Sequence, residues 1–174
     1  MNKRKLRSVA ELAMFCNQRP DLCSDKILPQ SLSIAIRKLH DHGESPLGKG
    51  KYLGHPFWSI SARDLLKANG WKVVGIKRLL SHEHVIPVSL LVRKILEPGC
   101  GDCVEDFEEI VSRYSLVAII TREEDVRLRE AKQWKSVGLE WVENDPWWRY
   151  REAKLFSEMV DGEGCSLEER NQIG

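Results

Sequence analysis

Residues 116–125, LVAIITREED, carry the clearest change of local character in the chain. The aliphatic run at 116–120, rich in β-branched side chains, predicts a buried strand. Thr121 then offers a capping hydroxyl. Glu123, Glu124 and Asp125 fill the first turn of a helix, where the positive end of the helix dipole favours acids. The pattern predicts a helix over 122–133 that starts where the strand stops.

Working outward, HEHVIPV at 82–88 predicts a second strand. SLLVRKIL at 89–96 reads as a helix capped by Ser89, and VEDFEEIVSRY at 104–114 as an acidic amphipathic helix after a turn at Gly99–Cys103. A third short strand is expected at 71–76 (WKVVGI), after a helix at 61–69 that Gly70 stops. Nearer the start, 8–15 suits a helix capped by Ser8 with Glu11 completing a capping box. Residues 16–30, broken by Pro20 and Pro29, read as connection, and 31–41 as a further helix. Residues 42–57 hold four Gly and two Pro and read as a long loop. Asp145-Pro146 opens a last helix through Val160. The expected architecture is α+β and mainly helical, with a small core of short strands near 71–76, 82–88 and 116–120. A single domain is expected over 1–160, with a basic helical part at 1–79, a core at 80–133 and a C-terminal helix within 134–160. Residues 161–174 form a polar tail.

The chain has 174 residues, 42% of them apolar and 30% charged, with six Trp, four Phe and three Tyr. That composition excludes disorder throughout and supports a packed core. No apolar run is long enough for a membrane-spanning helix, and the N-terminus lacks the pattern of a signal peptide, so a cytoplasmic protein is expected. Five sparse Cys argue against a disulfide framework. The net charge of +1 hides an asymmetry. Residues 1–79 hold 15 basic and 6 acidic side chains (net +9), whereas 80–174 hold 12 and 20 (net −8). A basic half leaves room for contact with nucleic acid.

Four groups of residues bear on chemistry. Gly43–Gly50 nearly matches a phosphate-binding loop, but Gly50 replaces the required hydroxyl and a helix precedes the loop, which excludes an NTPase. Its Lys49 and Lys51 remain candidates for phosphate contact, alongside Lys26, Arg37 and Lys38, and Trp58 and Trp71 are interleaved among Lys51, Arg63, Lys67, Lys72, Lys77 and Arg78, which suit nucleic-acid contact. Cys100 and Cys103 form C-x-x-C, half of a zinc site. Cys16 and Cys23, or His40 and His42, could complete it in space, and plain turn cysteines are the simpler reading. His40 and His42 also suit a helix C-terminus by charge alone, and His55 has no partner in sequence. The densest constellation is His82-Glu83-His84. On a strand, alternation puts the two imidazoles on one face and Glu83 on the other.

Glu83-His84-Val85-Ile86-Pro87, with the strand and helix at 117–125, resembles the HNH, or ββα-metal, endonuclease motif. In that family an acid-His or His-His pair precedes a short apolar stretch and Pro, and a second strand leads into a helix carrying a metal-binding Asn or His. Here Asp125 falls on that helix position, and Thr121 and Glu124 fall where some members carry zinc cysteines. The resemblance covers residues 82–130. It departs where Leu116 stands in place of an Asn and where two helices and the CGDC turn fill the linking loop. It implies a metal-dependent nuclease hydrolysing phosphodiester bonds, of DNA rather than RNA, in a phage or bacterial setting. His84 would be the general base, Glu83 and Asp125 would hold a divalent Mg2+ or Mn2+, and His82 would be a further ligand or support one.

The competing expectation is a non-catalytic module that binds nucleic acid or protein, such as a degenerate HNH fold or a small phage-type inhibitor of a host enzyme. On that reading the histidines satisfy local backbone groups, and Trp147, Trp148 and Tyr150 serve an interface or the core.

Overall fold

The computed structural model describes residues 2–41, 43–131 and 145–168. Its fold is α+β and mainly helical. The helices are α1 (Lys3–Gln18), α2 (Pro20–Cys23), α3 (Ile27–Leu39), α4 (Ile60–Ala68), α5 (Val88–Ile95), α6 (Val104–Tyr114), α7 (Arg122–Glu130) and α8 (Trp148–Glu152). The strands are β1 (Glu44–Ser45), β2 (Gly48–Lys49), β3 (Phe57–Ser59), β4 (Leu80–His84), β5 (Val117–Thr121) and β6 (Met159–Asp161). β1 and β2 form a minimal hairpin. The other four form one sheet in the order β4-β5-β3-β6, in which β3 and β5 are parallel and the remaining pairs antiparallel.

β5 is buried along its whole length because it is central and covered on both faces. Its alternate side chains feed two cores. Ala118 and Ile120 pack with Leu128, Trp147, Tyr150 and Met159 beneath α7 and α8. Val117 and Ile119 pack with Trp58, Leu66 and Leu80 beneath α4. A third core is purely helical, with Ala10 and Ala13 of α1 meeting Leu32 and Ile36 of α3, Leu91 and Ile95 of α5, and Phe107 and Val111 of α6. Among the described residues no helix is long and apolar enough to cross a membrane.

Several elements depart from the sequence expectation for identifiable reasons. α1 begins at Lys3 because the Asn2 side chain accepts from Lys5 N, so Ser8 is interior rather than a cap. The stretch expected as connection holds the end of α1, all of α2, which Pro20 starts, and the first turn of α3. WKVVGI at 71–76 is not a strand. Trp71 takes the left-handed region at φ 63°, Val74 is 86% exposed, and the run leads into a 3-10 turn at Lys77–Leu79. Its apolar residues have no sheet edge to bury them. α4 is capped by Ser59 and α5 starts after Pro87, one residue ahead of each expected helix, and the expected loop at 42–57 ends in a strand. The expected long helix after Pro146 covers five residues only. Lys154 turns into the left-handed region at φ 55°, and Met159–Asp161 pairs with β3 instead. Residues 161–168 are accordingly structured, with Asp161 Oδ1 accepting three backbone N–H groups, from Glu163, Gly164 and Cys165.

The strand-to-helix junction at Thr121 is as expected. Thr121 Oγ1 accepts from Glu124 N at 3.2 Å, and the Glu124 carboxylate accepts in return from Thr121 N at 2.6 Å. The same carboxylate oxygen accepts from Ser59 Oγ at 2.6 Å, so one buried glutamate ties the start of α7 to the start of α4. Thr121→Ala is expected to lower stability by about 1–2 kcal/mol, the cost of losing a buried N-cap. Urea unfolding followed by circular dichroism measures it.

Candidate functional site

The antiparallel register pairs His82 with Ile119, Glu83 with Ala118 and His84 with Val117. Alternation along β4 therefore divides the His-Glu-His sequence between two environments.

On the α7 side, Glu83 meets Arg149 of α8 at 2.9 Å. Arg149 also donates to the backbone oxygen of His84 at 3.3 Å, and its Nε is buried without a partner. Asp125 of α7 is buried and accepts from Ser81 Oγ at 3.1 Å and from Arg129 through both carboxylate oxygens. Burial pushes the Glu83 carboxyl above its ordinary pKa while Arg149 pulls it down, and the charge of Asp125 adds to the upward push. Tyr150 lies in the core of this face, its hydroxyl without a partner and its pKa raised by burial.

On the opposite side, His82 and His84 meet two further imidazoles. His82 Nε2 lies 3.0 Å from His55 Nε2. Ring centroids are 4.6 Å apart for His55–His82, 5.9 Å for His82–His84, 5.5 Å for His84–His40 and 5.7 Å for His40–His55. His40 is the C-cap of α3 and holds Ser115 Oγ, at the end of α6, through Nε2 at 3.2 Å. His55 follows a tight approach of Gly54 to Gly43, where a Cβ on Gly54 would collide with the Gly43 carbonyl, and its own carbonyl accepts from Trp58 Nε1 at 3.1 Å. Burial is the main cause that lowers all four pKa values, to about 4 for His40 and His55, about 3 for His82 and about 2 for His84. Neighbouring rings lower His40, His82 and His84 further, whereas hydrogen bonding with His40 raises His55 and hydrogen bonding with Ser115 raises His40. The four imidazoles are therefore neutral at pH 7. Neutral imidazole is the form that accepts a proton or binds a metal.

β4 reaches solvent through a cleft of roughly 330 Å3. Arg37 of α3, Arg129 of α7 and Arg149 of α8 line it together with His82, Glu83 and His84. Val88 and Ser89, in the first turn of α5, complete its wall. Three guanidiniums and a helix N-terminus give the opening the character of an anion site.

The residues expected as a metal-and-base set are thus partly gathered and partly separated. Glu83 and Asp125 share one environment, but each is engaged by arginine. His82 and His84 are turned to the other face of the sheet. The set of Glu83, Asp125 and His82 does not fit one Mg2+ or Mn2+ ion in this arrangement, because the donors do not point to one place and the carboxylates already have cationic partners. Thr121 and Glu124 serve as a capping box rather than as stand-ins for zinc ligands. Cys100 is half-buried and Cys103 exposed, neither in a disulfide, with Cys103 at the N-cap of α6. Cys16 is buried beside Cys23, whose Sγ donates to the Cys16 carbonyl. His42 lies outside the described residues. Of the expected phosphate-binding cations, Lys51 stands near enough to His55 and His82 to influence both. Lys49 pairs with Glu44 at 2.9 Å in the hairpin. Lys72, Lys77 and Arg78 are exposed on the segment before β4. Trp58 is fully buried and Trp71 is 43% exposed, so Trp58 is core.

Sequence reasoning did not assign His55 or Arg149 to the site; it took Arg37 as a possible phosphate contact and His40 as a possible partner of Cys100 and Cys103, not of the histidines of β4. The one signal for these two was type: an arginine in the otherwise aromatic run WWRY, and a histidine between Gly54 and Pro56. No known protein family, no curated protein and no solved structure matches the chain.

The histidines make a pH prediction. Their folded pKa values lie below the ordinary 6.5, so the unfolded chain binds more protons. Their contribution is intact above pH 6.5 and is lost as pH falls from there through about 4 towards 2, each ring adding a slope of about 1.4 kcal/mol per pH unit in its window. In a chelator-containing buffer the urea midpoint is expected to fall between about pH 7 and pH 5. The fall should be shallower in the His82→Asn/His84→Asn double variant. A wild-type midpoint that does not move over that range contradicts burial of neutral rings.

Proposed function

We propose that the protein hydrolyses phosphodiester bonds of nucleic acid, DNA in the first instance, in the cleft where β4 opens between α3, α5 and α8. One observation carries the reading: two neutral imidazoles, His82 and His84, share a cleft with Arg37, Arg129 and Arg149. Phosphodiester cleavage needs cations that hold the non-bridging oxygens and a group that takes a proton from the attacking water. The guanidiniums suit the first task through charge-assisted, often bidentate hydrogen bonds.

His84 suits the second task conditionally. Burial makes it a weak base in the free protein. A phosphate in the cleft adds a nearby negative charge, which favours the protonated imidazole and raises its basicity when substrate is bound. Glu83 holds Arg149 in place, and so acts on substrate through that side chain. The resemblance to ββα-metal nucleases adds support from sequence, as does the succession of β4, its antiparallel partner β5, and α7. The sparse, odd number of cysteines in the sequence suits a reducing compartment such as the cytoplasm.

The test is cleavage of supercoiled plasmid, single-stranded DNA and RNA, with Mg2+, Mn2+ or Zn2+ and with chelator. Wild type is expected to nick DNA, and His84→Ala and Arg149→Ala to lower the rate by about 100-fold or more. If wild type cleaves none of these under any condition, the hydrolytic reading is wrong. Retained binding of nucleic acid would then leave the non-catalytic binding module in its place.

A further inference from the structure

We infer that His40, His55, His82 and His84 bind one transition-metal ion of the zinc class between their rings. The inference does not rest on the hydrolytic reading, because ion binding is measurable without substrate; an imidazole that binds an ion through one nitrogen carries a proton on the other, so the proton-accepting role proposed for His84 belongs to the ion-free protein.

The four residues come from three separate places: the end of α3, the loop before β3, and β4. Their rings nevertheless close into a circuit, each in contact with the next, with centroid separations of 5.7, 4.6, 5.9 and 5.5 Å. A zinc ion binds imidazole nitrogen at about 2.0–2.1 Å, which puts each ring centre about 3.2 Å from the ion and tetrahedral neighbours about 5.2 Å apart. The observed separations bracket that value. The closest nitrogens, Nε2 of His55 and of His82, are 3.0 Å apart. Two imidazole nitrogens on one tetrahedral ion stand about 3.3–3.4 Å apart by the same bond lengths, a few tenths of an ångström wider than this pair. His84 Nδ1 is buried with no hydrogen-bond partner, a polar atom that an ion would satisfy. His40 engages Ser115 Oγ through Nε2, which leaves Nδ1 as its donor to an ion. Holding the non-ligating nitrogen in this way is how proteins orient metal-binding imidazoles.

An all-imidazole donor set selects zinc, copper, nickel or iron over magnesium and calcium, which prefer oxygen. This replaces the Mg2+ or Mn2+ expected at Glu83 and Asp125, where the donors diverge. The rings must still turn about their Cβ–Cγ bonds to aim every nitrogen inward. As the rings stand, no three of the four place nitrogens all within 4.8 Å of one another, and the group that does so among the described residues is Asp161, Glu163 and Cys165. In that group Asp161 Oδ1 already accepts three backbone N–H groups, so its geometry is explained by the turn it closes.

The experiment uses the full chain, stripped with chelator, dialysed and titrated with ZnCl2 by calorimetry and with CoCl2 by visible absorption. The expected result is one ion per chain and the intense visible bands of four-coordinate Co2+. His82→Asn and His55→Asn are each expected to weaken binding by at least about 10-fold, whereas Cys100→Ser/Cys103→Ser and Cys165→Ser leave it unchanged. If a histidine variant fails to fold, imidazole 15N shifts of the wild type decide, with four rings expected to shift together on adding Zn2+. Absence of binding by wild type overturns the inference, as does binding that survives loss of His82 or follows the cysteine variants. Ion binding without nucleic-acid cleavage would uphold it while removing the hydrolytic reading.

Discussion

The pairing of β4 with β5 governs both chemistry and packing. β5 is hydrogen-bonded on both edges and buried on both faces, so its register fixes where its neighbours' side chains point. A shift of one residue in β4 would exchange the faces of Ser81, His82, Glu83 and His84. The aliphatic side chains of β5 fill a core on each side of the sheet, and those two cores set the cost of such a shift. The division of imidazoles from carboxylates thus follows from apolar packing several residues away.

Polar links extend that register into the surrounding helices. Glu124 joins the first turn of α7 to Ser59 at the first turn of α4, and Asp125 joins α7 to Ser81 of β4. Arg149 joins α8 to Glu83. On the other face, His40 joins the ends of α3 and α6 to the histidines of β4. Polar groups buried at such junctions cost free energy unless they are paired, which makes their arrangement specific as well as stable. The few left unpaired include His84 Nδ1 and Arg149 Nε, both belonging to residues that line the cleft.

Local signals were legible where a short stretch contains all the physics it needs. LVAII followed by Thr121 and three acids is a strand, a cap and a helix start within ten residues, and it folds as read. VEDFEEIVSRY is likewise helical over the residues its periodicity marks. WKVVGI misled because β-branched residues indicate a strand only when a sheet edge receives them. WWRYREAKLFSEMV misled because pairing with β3 outweighs helix propensity at Met159–Asp161.

The sequence by itself determined the α+β class, the strand-to-helix junction at Thr121 and the alternation that separates Glu83 from its two histidine neighbours, since each depends on contacts between residues close along the chain. Only the tertiary structure decided what each face of β4 meets. Arg149 reaches Glu83 across 66 positions, and His40 and His55 reach the β4 histidines from a helix end and a glycine-bound loop. No local rule encodes those meetings, because they are set by how three cores pack against one sheet.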